Sequence, residues 1–430
     1  MQQYLGFNNW LRTKVFYGWR IVAAGVVINA IISGLFMQAY GSYVSVWRDS
    51  FGWSNTLLSG GYSAIQGTTG GVAPIQGWLT DKFGPRKILR IGLVLMGLGL
   101  IALSAVNSIG FFYLTLILIA LGVSFGGFLS LMVAIVNWFE KRRAFAISFL
   151  VTGFALGGLL VPLTSLSLET IGWRTSAFIS GLIIIAVAFP ITQIIKHRPE
   201  DIGLTIDGKN IDTKDELQQE NLTGDKQENF TLKEALSSRT FWFLSLGHST
   251  SLLVISAVQV HLVSHLQTEL NMTLVQTGLI VAIITTAQIV GTFGGGYLGD
   301  RWNKRTLGFI AMVVQGGGLF LLILANSVGL IVVFAIVHGF IWGMRGPIML
   351  ALRADYFGRQ NFGKIMGVSQ FVMTSGMVIG PLFAGLLADK TGNYEQGFTI
   401  LAIVALLGSI FFALLRKPNK VKRPTTAISS

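Results

Sequence analysis

The chain has 430 residues, 52% of them hydrophobic and 12% charged, with a net charge of +13 and no cysteine. About a quarter of a soluble domain's residues are charged, so this chain has too little polar surface to cover a water-soluble globule of its size. The absence of cysteine excludes disulfides, thiolate metal sites and a cysteine nucleophile. The bases lie in short loops beside apolar runs and form no aromatic-laced patch, which argues against nucleic acid as a partner.

Residues 1–18 are polar and aromatic and contain no short apolar run with a cleavage site. No signal peptide is read there, and the first apolar span is expected to direct insertion. Twelve apolar segments follow, near 19–45, 55–79, 88–106, 109–137, 144–168, 173–196, 240–266, 272–299, 306–325, 328–352, 364–388 and 393–416. A hydrocarbon core of about 30 Å takes roughly 20 helical residues, and these segments are of that order. The 52 glycines suit helices that approach closely in lipid. Between the sixth and seventh segments lies a stretch rich in Asp, Glu, Lys and Gln, the composition of a solvated linker. A short amphipathic helix is expected near Leu232 to Leu236.

The expected fold is therefore all-α and integral to a membrane, with twelve transmembrane helices in two pseudo-symmetric six-helix bundles. The boundaries are a cytoplasmic N-terminus (1–18), a first bundle (19–196), a cytoplasmic linker (197–239), a second bundle (240–416) and a cytoplasmic tail (417–430). Orientation follows from Lys and Arg alone. With the N-terminus inside, only Arg48, Arg174 and Lys390 fall outside and Arg345 falls within a span. Both ends are then cytoplasmic, in a multi-pass protein of the cell membrane.

One stretch occurs twice. Gly77-Trp-Leu-Thr-Asp81-Lys82-Phe-Gly84-Pro-Arg86-Lys87 is repeated as Gly296-Tyr-Leu-Gly-Asp300-Arg301-Trp-Asn303-Lys304-Arg305. Gly77 to Gly296, Asp81 to Asp300 and Pro162 to Pro381 are each 219 positions apart. A repeat of half the chain means a duplicated architecture, with two bundles about an axis along the membrane normal and a cavity between them. Each copy is a tight turn between two membrane helices, marked cytoplasmic by its bases.

The first copy resembles, at every motif position, the loop signature of the major facilitator superfamily. The second departs from it at Asn303 and is one residue shorter. Tyr17-Gly18-Trp19, the run from Asn137 through Phe139-Glu140-Lys141-Arg142-Arg143 into a Gly-rich helix, and His197-Arg-Pro-Glu-Asp-Ile-Gly203 are similar to the monocarboxylate transporter and oxalate–formate antiporter branch. That resemblance runs from about Tyr17 to Arg416. It implies a small carboxylate as cargo, but its charged residues do not carry over. Thr292 stands where the branch often has Arg in the eighth helix, and the eleventh span has no charge from Ile365 to Leu387. The resemblance also implies that Asp81, at the end of the second helix, meets the start of a helix of the other half. Gly77, Asp81, Lys82, Gly84, Arg86, Lys87, Gly296, Asp300, Arg301, Lys304 and Arg305 are then expected to form an inner gate.

The sharpest single feature is Arg345, in Gly343-Met-Arg345-Gly-Pro347 inside the tenth span. Arginine near a helix centre costs about 2.5–3.5 kcal/mol even on lenient insertion scales. It normally faces a cavity and an anion, and its planar fork grips a carboxylate. The competing reading is an arginine that reaches to the surface or binds helix carbonyls at the Gly-Pro break. No Asp or Glu lies well inside a span, so there is no buried carboxylate to carry a proton and no acidic sodium site. His248 and His338 remain as titratable candidates. His261 and His265, nearer the outer end, are expected to be interfacial, and their spacing is not read as a metal site. Asn29, Tyr40, Gln66, Gln259 and Gln370 complete the expected substrate-binding set, each also able to serve as an interhelical bond.

These observations lead to a secondary transporter working by alternating access, moving a small organic anion by proton symport or anion exchange. It is expected to act as a monomer without cofactor or metal and not as an enzyme, since no nucleophile–base set or phosphate loop appears. The alternatives are an exporter of neutral or lipophilic compounds, or a transporter-like sensor.

Overall fold

The computed structural model describes residues 16–139, 143–206, 230–358 and 361–418, apart from the side chains of 81, 143–145, 300, 362 and 363. The acidic groups of Asp81 and Asp300, Glu140 to Arg142, residues 207–229 and the ends of the chain thus lie outside the described residues.

Among the described residues twelve long helices run α1 (Tyr17–Phe51), α2 (Asn55–Phe83), α3 (Pro85–Ser104), α4 (Ile109–Trp138), α5 (Ala146–Thr170), α6 (Trp173–Ile194), α7 (Arg239–Leu270), α8 (Leu274–Arg301), α9 (Lys304–Ile323), α10 (Val328–Phe357), α11 (Phe362–Thr391) and α12 (Glu395–Ala413). Eleven are long and apolar enough to cross a membrane. The twelfth, α2, has the length, at 29 residues, and carries its Ser, Thr and Gln side chains into contacts with the opposite half. Twelve spans place both chain ends on one face, called here the terminal face; the other is the distal face.

Caps start these helices where the sequence supplies a short polar side chain. Ser54, Ser108, Ser238 and Thr273 each accept from a backbone N–H of the first turn. The two copies of the repeated loop turn differently. In the first, Gly84 takes a φ of +82°, open to glycine, and Pro85 begins α3. In the second, α8 ends at Arg301 with Trp302 as its C-cap, and Asn303 caps α9 by accepting from the N–H groups of Arg305 and Thr306. A side-chain cap replaces the left-handed glycine, so the loop needs one residue fewer.

Residues 16–195 and 230–415 build two hydrophobic cores, joined at their margin by Val260, Val263 and Leu274. The 219-residue register persists in the packing. A Cβ on Gly157 would lie 2.7 Å from the Ala30 carbonyl oxygen, and one on Gly376 would lie 2.3 Å from that of Ser249. Ala30 and Ser249, like Gly157 and Gly376, are 219 apart, so α1 meets α5 as α7 meets α11. The tightest interface is α8 with α10. Gly339 and Gly343 of α10 face the Ile284 and Gln288 carbonyls, while Gly291 and Gly295 of α8 face those of Phe340 and Met344. This small-xxx-small pattern on both helices brings the backbones into contact. α1 is broken by a π-turn at Ser33–Met37. The single helical turn Leu232–Leu236 forms as expected, with a capping box between Thr231 and Glu234.

Candidate functional site

The halves meet toward the distal face. Asp389, at the end of α11, accepts from the Asn55 N–H (2.8 Å) and amide (3.0 Å) and from the Thr56 N–H (2.8 Å) and hydroxyl (2.6 Å). A carboxylate here meets the partial positive charge at the start of α2. The Tyr394 hydroxyl and Asn55 Oδ1 add a bond at 2.8 Å. Across the molecule, Glu169 of α5 accepts from the Val275 N–H at the start of α8, at 3.2 Å. Between these seams, Ser63 donates to the Val378 carbonyl, Ser45 to Gln267, and His261 lies 2.9 Å from both Ser59 Oγ and the Pro381 carbonyl. His261, fully buried, thus joins α2, α7 and α11 and is not interfacial as the sequence suggested.

Below this seal lies a cavity of about 470 Å³, between Ile147, Ser148 and Val151 of α5 and α7, α8 and α10 of the other half. Ser148, His248, Gln288, Thr292 and Arg345 are its polar lining, and Leu252, Ile255, Trp342, Pro347 and Leu350 supply much of its apolar wall. The cavity lies on the terminal side of the seal. Because the chain has no cysteine, Leu252→Cys places a unique label there. An impermeant maleimide is expected to reach it from the terminal face only, and Asp389→Ala is expected to raise distal labelling severalfold. Unchanged distal labelling would remove the seal role.

Arg345 is 2% exposed and lines the cavity. Its Nη1 donates to Gln315 Oε1 at 3.0 Å, and its Nε has no partner. Gln315, from α9, is held in turn by the Ser251 hydroxyl and carbonyl. Two turns on, Arg353 is 1% exposed, bonded to Ser369, His248 and the Met349 carbonyl. Arg353 lies one residue beyond the apolar segment 328–352, yet α10 continues to Phe357 and α7 and α11 close over it. No described carboxylate pairs with either guanidinium. Two buried cations with only neutral partners leave a site of positive potential in a low-dielectric setting.

The other expected substrate-binding residues divide. His248 lines the cavity beside Arg345. His338 and Gln259 line a much smaller void deeper between the halves. The His338 Nδ1 is buried without a partner, and its ring lies 5.2 Å from Phe334 and 6.4 Å from Trp342. Gln259 ties the halves, donating to the Met37 carbonyl at 3.0 Å and accepting from Tyr62 at 3.1 Å. Gln66 donates to Tyr62 on the same seam. Gln370 is exposed on α11, one turn from Thr374, which lies against Gly70 of α2. Asn29 and Tyr40 are not brought to the cavity: Asn29 donates to the Leu150 carbonyl, and Tyr40, in an aromatic cluster, donates to that of Leu58.

Four bases of the repeated loops, Lys82, Arg301, Lys304 and Arg305, meet groups of their own halves. Lys82 lies over the Trp78 ring at 4.8 Å, and Arg301 over Tyr297 at 3.9 Å. Lys304 pairs with Asp355 at 2.8 Å, and Arg305 binds the final carbonyls of α12 at Phe412 and Ala413. A cation there favours the helix C-terminus. Arg86 and Lys87 sit in the first turn of α3, and a Cβ on Gly77 or Gly296 would meet no atom within 4 Å.

Twelve helices among the described residues, in two like halves joined near the distal face, with a cavity on the terminal side of that seal and a buried guanidinium on its wall, have the architecture of a membrane transporter. The Major Facilitator Superfamily profile matches residues 26–265 and 244–429, and the chain belongs to that superfamily. It is a transporter and not an enzyme. Monocarboxylate transporter 12 of Xenopus laevis is 25% identical over 381 residues, covering 84% of this chain and 81% of that protein. Monocarboxylate transporter 7 of Homo sapiens is 22% identical over 454 residues, covering 93% and 86%. The fold matches, at a TM-score of 0.70 and 14% identity over 93% of this chain and 96% of the other, a bacterial homolog of the human lysosomal transporter Spinster in an inward-facing and occupied conformation.

Proposed function

We propose that the protein moves a small organic anion, a monocarboxylate, across the cell membrane by alternating access, with proton symport or anion exchange as coupling. The observation that carries this reading is Arg345: a buried guanidinium on the cavity wall, paired only with a neutral amide and with Nε unpartnered. A carboxylate supplies the acceptors this group lacks, and the apolar wall takes the hydrocarbon part of the acid. The names of the monocarboxylate transporters to which the chain is similar support the same cargo class.

With both chain ends cytoplasmic, the form described here is open to the cytoplasm and sealed outside. The repeated loops then belong to the opposite state. There, Asp81 and the neighbouring bases close the cytoplasmic side, and in the present state Lys82, Arg301, Lys304 and Arg305 meet partners in their own halves. The protein acts as a monomer in this reading, since each chain holds a whole cavity.

The test is uptake of labelled acetate, propionate, benzoate and succinate into vesicles reconstituted with the purified protein, with and without a pH gradient. Saturable uptake of the monocarboxylates is expected. Stimulation by an inward proton gradient marks symport, and stimulation by internal unlabelled acid marks exchange. No uptake or exchange of any acid would overturn the reading.

A further inference from the structure

Arg353 is buried, bonded and outside the cavity lining, so it does not itself meet the cargo. Its geometry acts on His248. Its Nη1 and Nη2 both lie 3.3 Å from the Nδ1 of His248. Guanidinium nitrogens only donate, so Nδ1 must supply the lone pair, and the proton of the ring sits on Nε2. The guanidinium is held from its other sides: Nε donates to Ser369 Oγ at 3.1 Å, Nη1 to the Met349 carbonyl at 3.2 Å and Nη2 to Met373 Sδ at 3.2 Å. Ser369 is fixed by Ser245 at 2.8 Å, one turn before His248 on α7. A proton arriving on Nδ1 would face two N–H groups of a cation bonded on its other sides.

The surroundings offer no relief. On α10 the charged neighbours of His248 are Arg345 and Arg353. The groups facing the same cavity are Gln288 and Thr292 from α8 and Ser148 from α5, with Gln315 of α9 behind Arg345. None of these is an acid.

We propose that Arg353 is a positioning residue that fixes His248 as a hydrogen-bond donor, with its Nε2–H available to the cargo, and thereby bars this histidine from carrying a proton. Arg345 supplies the charge and His248 a directed donor, so the anion is held at two points. This rests on the anion reading above for its cargo, but its first test does not. Protein labelled with 15N-histidine is studied by NMR, with the His248→Gln variant identifying the His248 signals among the five histidines of the chain. His248 is expected to keep the Nε2–H tautomer from about pH 5 to pH 8, the range in which histidine ordinarily titrates. In Arg353→Met, whose side chain fills the space without donating, the ring is expected to titrate within that range; Arg353→Leu, which also donates nothing, serves if the methionine variant does not fold. An Nδ1–H tautomer, or titration of His248 in the unaltered protein, would overturn the proposal.

The second test is uptake of labelled propionate. His248→Gln keeps an N–H donor and His248→Leu does not, so Gln is expected to retain about tenfold more uptake than Leu, the scale of one buried hydrogen bond. Equal uptake by the two removes the donor role and leaves the anion reading, which stands on Arg345, untouched.

Discussion

Arg345→Ala is expected to lower uptake of monocarboxylates by about a hundredfold or more. Losing one partner of a buried, hydrogen-bonded charge pair costs roughly 2–5 kcal/mol, and tenfold corresponds to about 1.4 kcal/mol. The alanine also leaves Gln315 Oε1 without the 3.0 Å bond from Nη1, although that oxygen keeps Ser251. Arg345→Lys restores the charge but replaces the planar fork by a single ammonium. An intermediate loss of about tenfold follows from losing one hydrogen bond of the pair. Size-exclusion profiles of the variants separate this from misfolding. Normal uptake by a folded alanine variant would take the anion site away from α10.

The second large effect is expected at Gly343. A Cβ there would lie 1.9 Å from the Gln288 carbonyl oxygen and 2.8 Å from the Thr292 nitrogen, both backbone atoms of α8. Neither can turn aside, so α8 and α10 must separate along a seam that also contains Gly339, Gly291 and Gly295. Overpacking of this kind costs typically about 1–3 kcal/mol, and for a chain of this length Gly343→Ala is expected to lower Tm by about 1–3 °C. Gly317, on α9, has nothing within 4 Å of an added Cβ, and Gly317→Ala is the control, expected to shift Tm little. Equal melting of the two variants would show that the helices tolerate the separation. A displaced α10 also moves Arg345, two residues on, so Gly343→Ala should lose uptake beyond its loss of folded protein.

The architecture was legible because two of its causes are linear. Apolar runs of membrane length mark the helices, and a loop repeated after 219 residues marks the halves. Arg345 was legible for the same reason, as a charge within an apolar run. Arg353 was not, because it lies near the end of that run, where a base ordinarily reaches the surface; only the fold shows α7 and α11 covering it. Gln315 is one amide in an apolar helix, and its partner on α10 is thirty residues away. Asn29 and Tyr40 of α1 were expected in the substrate-binding set, and each instead meets a neighbouring carbonyl in its own half. Periodicity names a face but not what covers it. The seal joins residues more than 300 positions apart, such as Thr56 and Asp389, and neither helix end carries a sequence signal of the other.

The two distal seams differ in strength. Asp389 takes four hydrogen bonds from the first residues of α2, whereas the Glu169 carboxylate takes one from the first turn of α8. When the halves rock, the α5–α8 side is therefore expected to part first, with the α2–α11 side acting as its hinge. Since α5 and α8 are also walls of the cavity, the exit expected to open earliest lies beside that cavity, and a solute held there would leave by one flank of the molecule rather than along its central axis.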